Sequence, residues 1–147
     1  MNFTYNFLIS FFYVGYVKYA PGTTASLIML IIFFFIPNVF EIQLSILTLL
    51  LLLGFILCYY HSKISLEKDP SFIVIDEIVG MSISLFMLPK IFILYLMSFI
   101  LFRYLDIFKP FFINKSQKID FGIGIMLDDI LSGIFTILIL WSIVLCQ

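Results

Sequence analysis

The chain has 147 residues, of which 63% are hydrophobic and only 12% charged, with a mean hydropathy of +1.20. A soluble domain carries about 25% charged residues, so this composition excludes an ordinary soluble protein. It leaves an integral membrane protein with room for about four or five crossings and no separate soluble domain. The net charge of −1 gives no electrostatic footprint for nucleic acid. Cys58 and Cys146 both lie in apolar runs, which argues against a disulfide framework or a zinc site. His61 is the only histidine, so a multi-histidine metal site or a two-histidine relay is excluded.

Taken in order, the breaks and apolar runs predict one all-α domain over residues 1–147. Its expected form is a polytopic membrane bundle of four to five helices, with short re-entrant or partly spanning segments. Residues 3–17 read as a first short helix, and the lack of a basic stretch ahead of it argues against a cleaved signal peptide. Pro21-Gly22 then reads as a helix breaker. Thr23, Thr24 and Ser26 follow with hydroxyls able to cap the next helix, over 26–36. The same loop also suits an anion at a helix N-terminus; a plain turn and cap is the alternative. Residues 42–60 form the clearest spanning segment, followed by a polar stretch from His61 to Pro70. His61 itself reads as an interfacial residue rather than a ligand.

Residues 72–80, Phe-Ile-Val-Ile-Asp-Glu-Ile-Val-Gly, place Asp76 and Glu77 in an apolar run that reaches Leu88. A carboxylate at membrane depth costs roughly 2.5–3.5 kcal/mol. Such groups are paired, ligate a metal or face a polar cavity. The simpler alternative is a helix start, where acids suit the positive end of the dipole. A further helix over 91–105 ends with Arg103 and Asp106 three apart, on one face. Residues 107–127 form the most polar loop, with Lys109, Lys115 and Lys118. The last helix is expected to start near Asp128 and to carry a second acidic pair, Asp128-Asp129.

Folding these segments back and forth puts seven of the eight cations on one side, with Lys90 alone on the other. The positive-inside rule assigns that side to the cytoplasm. Eight of the nine acids share it, Glu41 being the exception. Asp76, Glu77, Asp106, Asp128 and Asp129 are hard oxygen donors with no His or Cys partner, a set that favours Mg²⁺ over zinc. Arg103 and Lys109 can hold a phosphate monoester and balance its charge. Together they suit metal-assisted phosphoryl hydrolysis. An ion-pair network that only seats the loops remains open at this point.

Four stretches resemble the phosphatidylglycerophosphatase A family. They are Ala20-Pro-Gly-Thr-Thr-Ala-Ser-Leu27, Asp69-Pro-Ser-Phe-Ile-Val-Ile-Asp-Glu-Ile-Val-Gly80, Phe102-Arg-Tyr-Leu-Asp-Ile-Phe-Lys-Pro110 and Gly122-Ile-Gly-Ile-Met-Leu-Asp-Asp-Ile-Leu-Ser-Gly133. Each is weak alone, but their order and spacing over residues 15–135 are specific. The chain departs from the family at Ala25, Leu105, Phe112 and Ser132, where Gly, Phe, Pro and Ala are usual, and no charged group is lost. The resemblance implies a Mg²⁺-dependent membrane enzyme that removes the terminal phosphate of phosphatidylglycerophosphate to give phosphatidylglycerol. It points to Asp76, Glu77, Arg103, Asp106, Lys109, Asp128 and Asp129. Asp76, Glu77, Asp128 and Asp129 are expected to bind Mg²⁺ or position the attacking water. Arg103 and Lys109 are expected to hold the phosphate, with the Thr23 hydroxyl beside them, and Asp106 to orient Arg103 or act as a further ligand. Asp76, Asp106 and Asp129 are thus the expected catalytic acids. The expected location is the cell inner membrane, multi-pass, with the site on the cytoplasmic face. The competing readings are a small ion-binding transporter and a non-catalytic membrane subunit.

Overall fold

The structure is a computed structural model that describes residues 3–65, 70–108 and 123–146. Among them are six α-helices and no strand. They are α1 (Phe3–Ile9), α2 (Pro21–Phe35), α3 (Phe40–Ile64), α4 (Ile75–Leu85), α5 (Phe92–Phe108) and α6 (Ile123–Leu145), with one 3₁₀ turn at Val14–Tyr16. The 25 residues of α3 reach about 38 Å and the 23 of α6 about 35 Å at 1.5 Å per residue. These two are long and apolar enough to cross a membrane. The 11 residues of α4 reach only about 16 Å, well short of the roughly 30 Å of a bilayer core.

That short helix is the centre of the bundle. It touches α2, α3, α5 and α6, and nine of its 11 residues are buried, so it has no face left for lipid. Ile78, Met81 and Leu85 meet Ala25, Met29 and Phe33 of α2 and Tyr95 and Phe102 of α5 in one core cluster. Val79 joins a second cluster with Leu57 and Cys58 of α3 and Met126 of α6. The outer flanks are apolar as well: Leu49, Leu52 and Ile56 on α3 and Ile93, Ile100 and Ile107 on α5 are exposed.

The crossing of α4 and α6 is built on two glycines. A Cβ at Gly133 would collide with the Gly80 carbonyl oxygen, and one at Gly80 would lie 2.7 Å from the Asp129 carbonyl oxygen. Backbone can approach that closely only where side chains are missing, as in small-residue helix packing. Asp76 lies four residues before Gly80, and Asp129 four before Gly133. One helical turn separates each acid from its glycine, so the crossing carries both acids to the same end of the bundle.

Several boundaries differ from the sequence expectation. The first helix ends at Ile9 instead of continuing to residue 17. Ser10 Oγ donates to the Asn6 carbonyl at 2.5 Å and accepts from the Tyr13 amide at 3.2 Å, offering the backbone a turn in place of the next helical bond. Phe11, Phe12 and Tyr13 then take positive φ of 43°, 57° and 66°. This turn sets Gly15 against the Phe72 carbonyl oxygen, leaving no room there for a side chain. The second helix begins at Pro21, because proline is tolerated in the first turn, where its missing N–H has no partner to lose. Ala20, at φ 45°, turns the chain into it. The last helix starts at Ile123, so Asp128 and Asp129 sit in its second turn. His61 lies within α3, buried, with its Nδ1 2.7 Å from Tyr5 Oη. At the far end, Lys90 Nζ donates to the Phe34 carbonyl at 2.7 Å and closes α2. The Met87 amide there donates to Gln43 Oε1 at 2.7 Å.

Candidate active site

Three helices deliver charged side chains to one cavity of about 340 Å³, and a fourth walls it. The first turn of α4 supplies Asp76 and Glu77, whose charges suit the positive end of that helix. The last turns of α5 supply Arg103 and Asp106, and α6 supplies Asp128 and Asp129. Ala20, Pro21 and Gly22, at the start of α2, form another wall. Asp76, Asp106, Asp128 and Asp129 are all buried, the last only 3% exposed.

Oxygens of Asp76, Glu77 and Asp129 lie within 4.8 Å of one another. Arg103 Nη1 stands 2.6 Å from Asp106 Oδ2 and 3.9 Å from Glu77 Oε1. The i, i+3 spacing read from the sequence is therefore an ion pair. The Glu77 amide donates to Asp76 Oδ1 at 3.1 Å. Among the described residues, five carboxylates and one guanidinium line the cavity. Burial, and after it the charges of Glu77 and Asp129, hold the Asp76 carboxyl well above its ordinary range. Burial also raises Glu77, with its hydrogen bond to Asp76 and the charge of Arg103 working against the rise.

Such crowding needs a positive charge beyond Arg103. Buried Glu77 Oε2 and Asp129 Oδ2 have no hydrogen-bond partner among the described residues. Unpaired carboxylate oxygens at this depth are costly unless a cation or proton meets them. Hard oxygen donors in this number fit a divalent cation of the Mg²⁺ type. Asp76, Glu77 and Asp129 could hold it, with Asp128 in the same wall.

Of the residues singled out in the sequence, Asp76, Glu77, Arg103, Asp106, Asp128 and Asp129 come together. Thr23 is half-buried in the first turn of α2, beside the lining residue Gly22 but outside the lining itself. Lys109 lies outside the described residues, as do Glu67 to Asp69 and the rest of 109–122. Two contributors carry little signal in sequence. Ser71 lines the cavity from a turn. Gly22 reads as a breaker, yet a Cβ there would strike Glu77 Oε1 and lie 3.3 Å from Arg103 Nη1. A glycine in the first turn of a helix next to an acid-rich wall is the signal that could have marked it.

Comparison with known proteins bears on the chemistry. The family model described as Phosphatidylglycerophosphatase A matches residues 7–144. A Haemophilus influenzae protein named Phosphatidylglycerophosphatase A is 33% identical over 133 residues, covering 88% of this chain and 82% of its own. An Escherichia coli protein of the same name is 35% identical over 127 residues, covering 84% and 73%. A Bacteroides thetaiotaomicron protein, provisionally named a phosphatidylinositol-3-phosphatase, is 30% identical over 135 residues, covering 86% and 84%. No solved structure matches the chain. With a family match over nearly its whole length and relatives of this identity and coverage, the chain belongs to the phosphatidylglycerophosphatase A family of phosphatases.

Proposed function

We propose that this protein hydrolyses the terminal phosphate monoester of phosphatidylglycerophosphate, giving phosphatidylglycerol and inorganic phosphate, in a Mg²⁺-dependent reaction. The observation that carries the reading is the approach of Asp76, Glu77 and Asp129 within 4.8 Å in the cavity that Arg103 also lines. Asp76, Glu77, Asp128 and Asp129 hold the cation. When bound, Mg²⁺ supplies electrophilic polarisation of the phosphoryl group. Arg103 and Lys109 bind the phosphoryl oxygens and balance the charge that grows on them. Asp106 fixes the guanidinium by the 2.6 Å ion pair, and the Thr23 hydroxyl lies near enough in sequence to the Gly22 wall to assist. Asp76 or Asp129 orients the attacking water and takes its proton. The new bond joins water oxygen to phosphorus; the bond to the glycerol oxygen breaks, and the proton taken by that carboxylate passes to the departing oxygen.

The protein works in the cell inner membrane as a multi-pass bundle. The exposed apolar flanks of α3 and α5 support this. The cytoplasmic side is favoured for the cavity because Arg103 lines it, Lys18 lies two residues before its Ala20 wall, and Lys90 caps the opposite end. The name of the Bacteroides relative favours one second substrate, phosphatidylinositol 3-phosphate.

Phosphate release from both lipids by purified protein in detergent with Mg²⁺ decides between them. The expected result is a kcat/KM at least about tenfold higher for phosphatidylglycerophosphate. Faster release from the inositol lipid transfers the assignment to that substrate, and release from neither removes it. A second expectation concerns the Gly22 wall. Gly22→Ala pushes a methyl group into Glu77 Oε1. Displacements of about 1 Å at such sites cost about 100-fold in rate, so kcat falls by that order. A Gly22→Ala enzyme with wild-type kcat shows that the close approach has no catalytic use.

A further inference from the structure

We propose that Lys18 binds the internal phosphodiester of the lipid, one phosphate removed from the bond that is cut. This rests on the lipid-phosphatase reading above and adds a second anion subsite to it. Both candidate lipids carry two phosphorus centres: a terminal monoester, and a diester that joins the headgroup to diacylglycerol. The cavity provides for the first with Arg103 and the carboxylate set. The second must lie nearer the mouth, on the way to the acyl chains.

The rim at that position is built by two segments locked together. Tyr16 stacks on Phe72, with ring centroids 5.6 Å apart and planes 8° from parallel. Gly15 presses on the Phe72 carbonyl oxygen. Ser71, beside Phe72, lines the cavity from one segment, and Ala20 to Gly22 line it from the other. Lys18 falls between the Tyr16 anchor and the Ala20 wall, so its Cα lies within about 7 Å of that of Ala20. Its side chain is exposed, and its Nζ stands 5.6 Å from the Tyr19 ring centroid. Tyr19 is 76% exposed, so the ring gives the ammonium a partner that an incoming phosphate can replace without breaking an ion pair. The other described cations are placed for different work. Arg103 is paired with Asp106 inside, Lys90 caps α2 at the far end, and Lys63 lies over Tyr59 on α3. A diester carries a single negative charge shared by its two non-bridging oxygens, which a lysine ammonium can balance as a point charge.

The test separates the two halves of the substrate. Short-chain phosphatidylglycerol keeps the diester and lacks the monoester, whereas inorganic phosphate carries only what the inner cavity recognises. Calorimetric binding of each to full-length protein in detergent with Mg²⁺ is compared across Lys18→Gln, Lys18→Arg and Lys63→Gln. Lys18→Gln is expected to weaken phosphatidylglycerol about fivefold and leave inorganic phosphate unchanged, with Lys18→Arg restoring the affinity. Equal phosphatidylglycerol affinity in Lys18→Gln and wild type overturns the subsite. So does the same loss in Lys63→Gln, which marks general surface charge. Binding is read without turnover, so a wild-type protein that hydrolyses no lipid monoester overturns the proposed reaction and not this subsite.

Discussion

Asp129→Asn is expected to lower phosphate release from phosphatidylglycerophosphate about a thousandfold while the protein still folds. Asparagine keeps the size and shape of the side chain and removes its charge. Asp129 is almost fully buried, and its Oδ2 has no hydrogen-bond partner among the described residues. Losing one pre-set electrostatic contact to a developing charge costs about 10²–10³ in kcat, and here the same change also removes a proposed Mg²⁺ ligand. Stability moves the other way. In EDTA, taking one charge from the crowded set of Asp76, Glu77 and Asp129 relieves like-charge repulsion. The unfolding temperature in EDTA therefore stays level or rises. An ion-pair network that merely seated the loops would give the opposite pattern: lower stability and intact turnover. Phosphate release and thermal unfolding, measured on the same preparation, tell the two apart.

Much of this site is legible in the sequence because charge is so costly in an apolar chain. Asp76-Glu77 and Asp128-Asp129 stand out as acids inside hydrophobic runs, and the structure puts all four on one cavity. The Arg103–Asp106 spacing gives the ion pair directly. The remainder depends on partners that are distant in the chain. Gly80 and Gly133 look like ordinary helix glycines until their helices cross, and only the crossing explains why the two acidic pairs meet. Pro21-Gly22 resembles a helix breaker because proline in the first turn and proline in a loop have the same local sequence. The break after Ile9 was hidden for another reason. Its turn contains three left-handed aromatic residues where glycine or asparagine is the usual signal. The described residues form six helices, of which α3 and α6 are long and apolar enough to cross, where a bundle of four to five helices with short re-entrant or partly spanning segments was expected. A central helix as short as α4 is apolar on all sides through burial in protein, and hydropathy alone does not separate that from contact with lipid. Membership of the phosphatidylglycerophosphatase A family, not any local pattern, sets the transporter and non-catalytic readings aside.

Removing the divalent cation is expected to have an effect as large as Asp129→Asn. Cation stabilisation of a phosphoryl transition state is worth several kcal/mol, and roughly 4 kcal/mol corresponds to about a thousandfold in rate. Arg103 alone does not replace it, since Asp106 already holds that guanidinium at 2.6 Å. The deciding measurement is phosphate release from phosphatidylglycerophosphate by EDTA-stripped protein, followed as Mg²⁺ is returned. Near-zero release without the cation, full recovery with it, and no recovery in Asp129→Asn are the results expected if buried carboxylates from α4 and α6 grip a metal for catalysis. Undiminished release in EDTA would contradict that assignment outright.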